Sequence, residues 1–564
     1  MSRKTGEAFS VSASGLLMHF ERIATAPGGV TQLRELILAL AVRGKLVPQD
    51  PSDEPASMLL QGIRSERERL IAEGKIKRNK PLPPTTDEES PFELPQGWGW
   101  IRLGNLLRFR IGRTPPSKDP QYWSDSGYSW VSIADMDHFG VVQQTQRKLT
   151  ERGAAQFGYD PLLAGTLLMS FKLTIGKIAV LGVPAYHNEA IVSFYPLAGL
   201  DTEFMKFVLP SAAKTGSSKN ALMGQTLNTE SLSNLILAIP PTNEQSRIVA
   251  RVDELMRLCD ELEAKGQLEA EQHASLLATL LGTLTDSATP EELVANWQRV
   301  AEHFDLLLDR PEAVDALEQT ILQLAVRGLL VPQDPSDKPA SFLLEQIRTD
   351  GNRQDAYGTL RKSPASEVGS DEVPFELPRL WAWARFGQIA EIASDLVSPA
   401  GHQSVWQIGP DCIEKGTGRL LARRTVADAD VKSANHRFQP GQIIYSKIRP
   451  SLSKAVIVDF AGLCSADMYP INSKISTEYL LLVILSRCFL DQVTVAENRV
   501  KMPKLNQEAL TGFHVPVPPL AEQSRIVDRV TDLRRLCADL RRRLAASHAT
   551  QSRLAEAMVQ SAAT

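Results

Sequence analysis

Five short stretches gather the side chains that pair with phosphate oxygens and base edges. "RFRIGRTPPSKDPQYW" sets Arg110, Arg113 and Lys118 around a proline-stiffened turn, and "GTLLMSFKLTIGK" carries Lys172. "KTGSSKNALMGQTLN" reads as a small-residue loop with Lys219, Asn220 and Gln225. "YSKIRPSLSK" carries Lys447, Arg449 and Lys454; "ENRVKMPKLN" carries Arg499, Lys501 and Lys504. Arg and Lys neutralise phosphates, while Arg, Lys, Asn and Gln can also make paired hydrogen bonds to bases. This is recognition chemistry, with no bond made or broken. Residues able to do more do not fall into a reactive pattern. There is no GxxxxGK[ST] loop, no glycine-rich dinucleotide turn and no Asp/Asn-Pro-Pro-Tyr/Phe tetrapeptide. The nine histidines form no HxxxH or HExxH pair, and the five cysteines form no CxxC pair. No catalytic residue, metal site or cofactor is therefore assigned.

Charge sharpens the picture. The chain of 564 residues carries a net charge of −4, which by itself argues weakly against a polyanion as partner. The charge is segregated, however. Residues 98–239 hold 13 Lys and Arg against 10 Asp and Glu, and residues 381–516 hold 15 against 12. Each stretch is thus +3 and the remainder is −10. A phosphate meets the local patch and not the average. Apolar content of 43% is ordinary for a globular protein, and no apolar run is long enough to span a membrane. The N-terminus lacks the apolar core of a signal peptide. An odd cysteine count without a framework suits a reducing cytoplasm.

The elements that carry these stretches are repeated. "LAVRGKLVPQDPSDEPASMLLQGIR" (residues 40–64) returns as "LAVRGLLVPQDPSDKPASFLLEQIR" (residues 324–348), with 20 identities in 25 positions. "PFELPQGWGW" returns as "PFELPRLWAW", and "PPTNEQSRIVARVDELMRLCDEL" as "PPLAEQSRIVDRVTDLRRLCADL". Between these shared pieces similarity vanishes. Each half is therefore a shared helical lead, a private middle and a shared closing helix, which is a duplicated domain pair and no solenoid.

The shared pieces read as scaffold. Arg43 and Arg327 lie in a last helical turn, with Gly44 and Gly328 placed for a left-handed cap. Ser52 or Asp53, and Ser336 or Asp337, are expected to cap the following helices. Ile248, Val252, Leu255, Leu258 and Leu262, matched by Ile526, Val530, Leu533, Leu536 and Leu540, make a coiled-coil-like seam. Two such seams in one chain are expected to pack on each other as a spacer. Trp98, Trp100, Trp381 and Trp383 are expected in the core. The middles read as short strands with one helical stretch each, "DTEFMKFVLPSAAKTG" and "STEYLLLVILSRCFLDQV".

The order of pieces resembles the specificity subunits of type I restriction-modification systems over nearly the whole chain. "LAVRGLLVPQDPSDKPASFLLEQI" is similar to that family's conserved region. "GRTPPSKDPQYW", "YSWVSIADM", "YSKIRPSLSKA" and "KMPKLNQEAL" resemble its target-recognition signatures. The resemblance implies an α+β fold: two α/β target-recognition domains separated by long paired antiparallel helices, related by a pseudo-two-fold repeat. The divisions it implies are a helical segment and linker at 1–90, a recognition domain at 91–240, a central helical region and linker at 241–373, a second recognition domain at 374–517 and a closing helix at 518–564. It implies a non-catalytic role, in which each domain reads one half of a bipartite double-stranded DNA target. It further implies two docked methyltransferase subunits, with motor-endonuclease subunits joining them, in the cytoplasm and away from membranes. A helical segment from Ser10 to Lys80, ahead of the first recognition domain, departs from shorter members. Two other readings stay open: a coiled-coil scaffold that does not touch DNA, and an enzyme with chemistry around Lys447 and Asp467.

Overall fold

Each half of the chain is organised where a strand ends in a proline pair and a helix begins. The computed structural model describes residues 20–76, 82–195, 199–222, 228–287, 289–354, 369, 373–496 and 503–563. The chain divides into two compact units, Met1–Leu268 with His548–Thr564 and Glu269–Ser547.

The first unit opens with helices α1 (Gly29–Val42) and α2 (Ala56–Ala72). Its private domain contains β1 (Gly99–Arg102), β2 (Arg108–Ile111), β3 (Trp123–Ser124), β4 (Tyr128–Val131), β5 (Gly140–Val142), β6 (Arg147–Leu149), β7 (Leu167–Ser170), β8 (Ile178–Leu181), β9 (Ala185–His187), β10 (Ile191–Tyr195), helix α3 (Thr202–Leu222) and β11 (Ile236–Ile239). The sheets have the orders β2-β10-β7-β8-β5, β3-β6-β4-β9 and β1-β11. Helix α4 (Thr242–Thr285) then starts at the proline pair and runs 44 residues, about 66 Å at 1.5 Å per residue.

The second unit repeats this plan. After α5 (Pro290–Glu302) come α6 (Pro311–Arg327) and α7 (Ala340–Gln354). Its private domain has β12 (Ala382–Arg385), β13 (Ala390–Ile392), β14 (Leu396–Val397), β15 (Trp406–Ile408), β16 (Arg424–Thr425), β17 (Asn435–Phe438), β18 (Ile443–Ser446), β19 (Ala455–Ile457), β20 (Gly462–Ser465), β21 (Met468–Ser473), α8 (Thr477–Leu485), α9 (Arg487–Ala496) and β22 (His514–Val517). Helix α10 (Leu520–Ala563) closes the chain. The order β13-β21-β18-β19 repeats β2-β10-β7-β8, and β12-β22 repeats β1-β11. The parallel pairs β4·β9 and β15·β20 also correspond. Sequence similarity is lost in the middles while the backbone plan persists.

The repeated motifs make one buried knot per unit. Gly44 and Gly328 hold φ of 68° and 73° at the ends of α1 and α6, as the left-handed cap requires. A Cβ on Gly44 would lie 2.5 Å from Pro95 and 2.8 Å from Trp98; on Gly328 it would lie 2.5 Å from Pro378 and 3.0 Å from Trp381. Gln49 donates to the Gly44 carbonyl at 2.8 Å and to Glu244 at 3.0 Å. Gln333 donates to the Gly328 carbonyl at 3.2 Å and to Glu522 at 2.7 Å. Trp381 Nε1 donates to the other Glu522 oxygen at 3.0 Å. Gln245 and Gln523 tie their helix to the domain, accepting from the backbone N–H of Asp201 and of Ser476, each at 2.9 Å. Phe92 packs on Trp100 and Phe375 on Trp383 at centroid distances of 4.9 and 5.0 Å. Trp98 and Trp381 are core residues, and Trp100 and Trp383 are partly buried against the core.

Two expectations are corrected. Ser52, Asp53, Ser336 and Asp337 do not cap the following helices. Pro55 stands at the N-cap of α2, and the Ala56 and Ala340 N–H groups donate to the carbonyls of Gly97 and Leu380. Asp53 and Asp337 are buried against Arg247 and Arg525 instead, at 2.6 and 2.5 Å. The aspartates thereby meet a full cation, and the helix starts are satisfied by backbone carbonyls instead. The seam also differs. Cys259 and Cys537 are buried, while Leu536 is 62% exposed. The seam therefore runs Ile248, Val252, Leu255, Cys259 and Leu262, with steps of 4, 3, 4 and 3. It packs within its own unit beside Leu33, Leu36, Ile37 and Leu40 of α1, with Ala555 of α10 in the same cluster. Among the described residues no single helix is long and apolar enough to cross a membrane.

Burial raises the Glu522 pKa above the ordinary 4.5, against the opposing pull of Trp381 and Gln333. A raised folded value means that this group's contribution to stability is complete below pH 4.5. It is lost as the pH rises through the folded value. Glu522→Gln keeps an acceptor oxygen and cannot ionise. The melting temperature of this variant relative to the parent should therefore climb as the pH goes from 4.5 to 7. A difference that stays flat across that range would refute the buried-carboxylate account.

Candidate nucleic-acid interface

In the second unit, the hairpin β18–β19 carries "YSKIRPSLSK". The strands pair from Ile443↔Ile457 to Tyr445↔Ala455, and the Ser446 N–H closes the loop on the Lys454 carbonyl at 2.9 Å. The segment before α10 is stitched to this loop. Ile448 bridges Lys504, Arg449 N–H donates to Pro503 O, and Leu505 N–H donates to Lys447 O. Arg449 takes a left-handed φ of 45°, which is rare for a residue with a Cβ and turns its exposed side chain out of the strand direction. Lys504 reaches Asp467 at 3.0 Å, and the Lys447 ammonium lies 5.0 Å from the Tyr469 ring centre. Lys447, Arg449 and Lys504 are thus brought together on a backbone fixed by hydrogen bonds. Lys454 plays a different part. Its ammonium donates to Pro410 O at 2.6 Å and holds the hairpin down.

The first unit has the equivalent hairpin, β7–β8. The Ser170 N–H closes on Lys177 O at 2.8 Å. Lys177 donates to Ile133 O at 3.2 Å, the counterpart of the Lys454 tether. Leu173 stands three residues past Ser170, as Arg449 stands three past Ser446. It too is left-handed, with φ of 62°, and it is 93% exposed. Lys172 beside it is exposed, its ammonium 5.4 Å from the Phe171 ring centre. One turn geometry thus displays leucine and lysine in one unit and arginine in the other.

The proline loop after β2 is held by aromatic residues. Trp123 Nε1 donates to Pro116 O at 2.9 Å, and Trp130 Nε1 donates to Arg113 O at 3.1 Å. Arg147 lies 3.4 Å over the Trp123 ring and donates to Ser117 O at 3.1 Å. Sequence reasoning does not single out Trp123, Trp130 or Arg147. The interleaving of two tryptophans with a later arginine is the one signal that points to them. Within the loop Lys118 is exposed, whereas Arg113 donates to Gln156 O at 2.7 Å. Arg110 is held between Tyr159 and Tyr195, 3.9 and 5.7 Å from their ring centres. Burial pushes the Tyr159 phenol up to about 12, so it stays neutral beside that cation. Arg110 is therefore a structural cation and Lys118 a surface one.

Helix α3 continues past Pro210 to Leu222, which corrects the loop expected there. Lys219 and Asn220 lie on that helix. Gln225, Arg499 and Lys501 lie outside the described residues. The five cysteines are free and buried, and burial pushes the Cys464 and Cys488 thiols up to about 12. Asp467, considered for an enzymatic role with Lys447, has Lys504 as its ion-pair partner.

Comparison with known proteins finds the family described as Type I restriction modification DNA specificity domain at residues 95–272 and again at 410–547. The chain is 33% identical over 566 residues to the Type I restriction enzyme EcoAI specificity subunit of Escherichia coli, covering 95% of this chain and 94% of that one. It is 31% identical over 562 residues to the EcoEI specificity subunit of the same organism, with the same coverage. To the EcoDI specificity subunit it is 29% identical over 447 residues, covering 79% and 83%.

The anchors of the proline loop can be tested without a ligand. Arg147→Ala removes the ring contact and the bond to Ser117 O, a cation–π loss of about 0.5–2 kcal/mol. The amides of Asp119, Tyr122 and Trp123, bonded within the loop, should exchange several-fold faster in deuterated water. Amides of β7 and β8 should be unchanged. Equal acceleration in both places would mean that Arg147 stabilises the whole domain and not the loop.

Proposed function

The chain belongs to the family of type I restriction-modification DNA specificity subunits, and from that premise we propose how it divides its work. The two private domains each read one half of a bipartite double-stranded DNA sequence. The two knots dock two identical methyltransferase subunits, through which motor-endonuclease subunits join. The chain itself does no chemistry. The observation that carries this reading is a contrast: two knots that share the same Gln–Glu and Asp–Arg bonds hold two domains that share a backbone plan and differ in what their loops display. Equal faces suit equal partners, and unequal loops suit an asymmetric target.

Within the domains the reading assigns contact to exposed or half-buried cations on fixed backbone. These are Arg449, Lys447 and Lys504 in the second domain and Lys118 and Lys172 in the first. Fixed backbone matters because ordering a long side chain on a floppy loop costs entropy that the contact must recover. Arg110, Arg113 and Lys454 hold the loops through contacts to Tyr159, Gln156 O and Pro410 O. A scaffold that does not touch DNA has no observation in its favour.

Replacing residues 381–516 by the corresponding middle of a relative tests the division of labour. Methylation mapping of the reconstituted complex should show one half of the target changed and the other kept. A change in both halves, or in neither, would end the modular reading. At the residue level, Arg449→Ala should weaken DNA binding with little loss of melting temperature. A phosphate contact would lower the salt slope by about one; a base contact would cost about 1–3 kcal/mol and relax one position. Lys454→Ala should instead lower the melting temperature. If Arg449→Ala leaves affinity and salt slope untouched, the hairpin is not the reader.

A further inference from the structure

The identical knots create a problem of partner choice. Gln49 would meet Glu522 as well as it meets Glu244, and Asp53 would meet Arg525 as well as Arg247, since the copies Gln333–Glu522 and Asp337–Arg525 make the same bonds. Nothing in the knot tells the leading helix of one half from that of the other. An α1 laid against α10, within one chain or between two copies, would close an equally good knot.

The discriminating residues stand further along the same helices. In the first unit Arg34 of α1 pairs with Asp260 at 2.6 Å and with Glu263 at 2.7 Å on α4. In the second unit Glu318 of α6 pairs with Arg534 at 2.9 Å and with Arg541 at 2.7 Å on α10, and Asp315 pairs with Arg541 at 2.6 Å. Through the repeat, Arg34 corresponds to Glu318 and Glu263 to Arg541; Thr31, Met256 and Asp260 correspond to Asp315, Arg534 and Ala538. The pair is kept and its charges are reversed. Crossed pairing would set Arg34 against two arginines, and Asp315 and Glu318 against Asp260 and Glu263. The penalty is largest in the second unit, where the Glu318 side chain is only 10% exposed and would lose both its arginines.

We propose that this reversed ion pair is the device that makes each leading helix choose the trailing helix of its own half, and so keeps each recognition domain on its own scaffold and two chains from exchanging leading helices. Like-charge contact against the wrong partner supplies what identical cores cannot. The same logic sets partner choice at the flanks of coiled coils.

The test uses the full chain and two variants. T31D/R34E/D315T/E318R exchanges the charges of the leading helices at constant composition. Adding M256R/D260A/E263R/R534M/A538D/R541E exchanges the trailing helices too, so each half is matched again with reversed sign. Thermal melting and light-scattering mass are read for both. The first variant should melt several degrees lower than the parent and shift to twice its mass. The second should return both readings to the parent's values. Parent-like behaviour of the first variant would overturn the proposal, as would failure of the second to recover relative to the first. A purely local stabilising role is separated by R34E alone and E318R alone. Under the proposal the four-substitution variant gains the doubled mass that neither single change produces.

Discussion

A carboxylate buried in the first turn of each trailing helix is the constraint on which the rest depends. Glu244 and Glu522 follow proline pairs that end β11 and β22 and start α4 and α10. The helix macrodipole favours an acid there, but burial does not. The group is tolerable only if its oxygens are bonded, by Gln49 or Gln333 from the leading segment and, at Glu522, also by Trp381. Those donors are in place only if Gly44 or Gly328 turns the leading helix sharply, under a proline and a tryptophan that leave no room for a Cβ. Removing one partner of a buried charge costs about 3–5 kcal/mol. Gly44 and Gln49, like Gly328 and Gln333, thus answer to the same acid, and they lie in the segment in which 20 of 25 positions are unchanged between copies.

The private domains answer to a different constraint. Both keep the pairing of β1 with β11 and of β12 with β22, the strands that lead into the knot, and the four-strand order β2-β10-β7-β8 repeated as β13-β21-β18-β19. Between those fixed ends, the hairpins β7–β8 and β18–β19 keep a closing serine, a tethering lysine and a left-handed residue at the turn. What is displayed at the turn is free to vary, leucine in one and arginine in the other. A backbone held from below by Lys177 or Lys454 presents either without rebuilding the loop. The exposed positions can then change by substitution, with stability carried by the residues beneath them.

What the sequence discloses follows the distance over which each signal acts. Gly44, Gly328 and the proline–glutamate helix starts are local, and they read correctly. So does the duplication, which needs no structure at all. Ser52 and Asp53 fit a cap motif just as well. But the partner of Asp53 is Arg247, 194 residues away, and no local pattern announces it. The seam reads one position off because Cys259 is small and Leu258 looks the better hydrophobe. Only packing beside α1 decides which one turns inward. Lys454 and Arg449 are both exposed-looking cations in one loop, and only the bond to the Pro410 carbonyl marks Lys454 as a tether. Helix α3 continues past Pro210 because the hairpin packs there, with Gly176 close to Pro210.

Duplication therefore places two opposite demands on one pair of helices. Under the proposed function, equivalent docking faces require the knots to stay the same, and correct assembly requires the halves to be distinguishable. The chain separates the demands along the helix. Glu244 and Glu263 are 19 residues apart, as are Glu522 and Arg541, about 28 Å of helix. That exceeds the screening length of about 8 Å at physiological salt. The reversed charges can thus discriminate between halves without disturbing the acid that defines each knot.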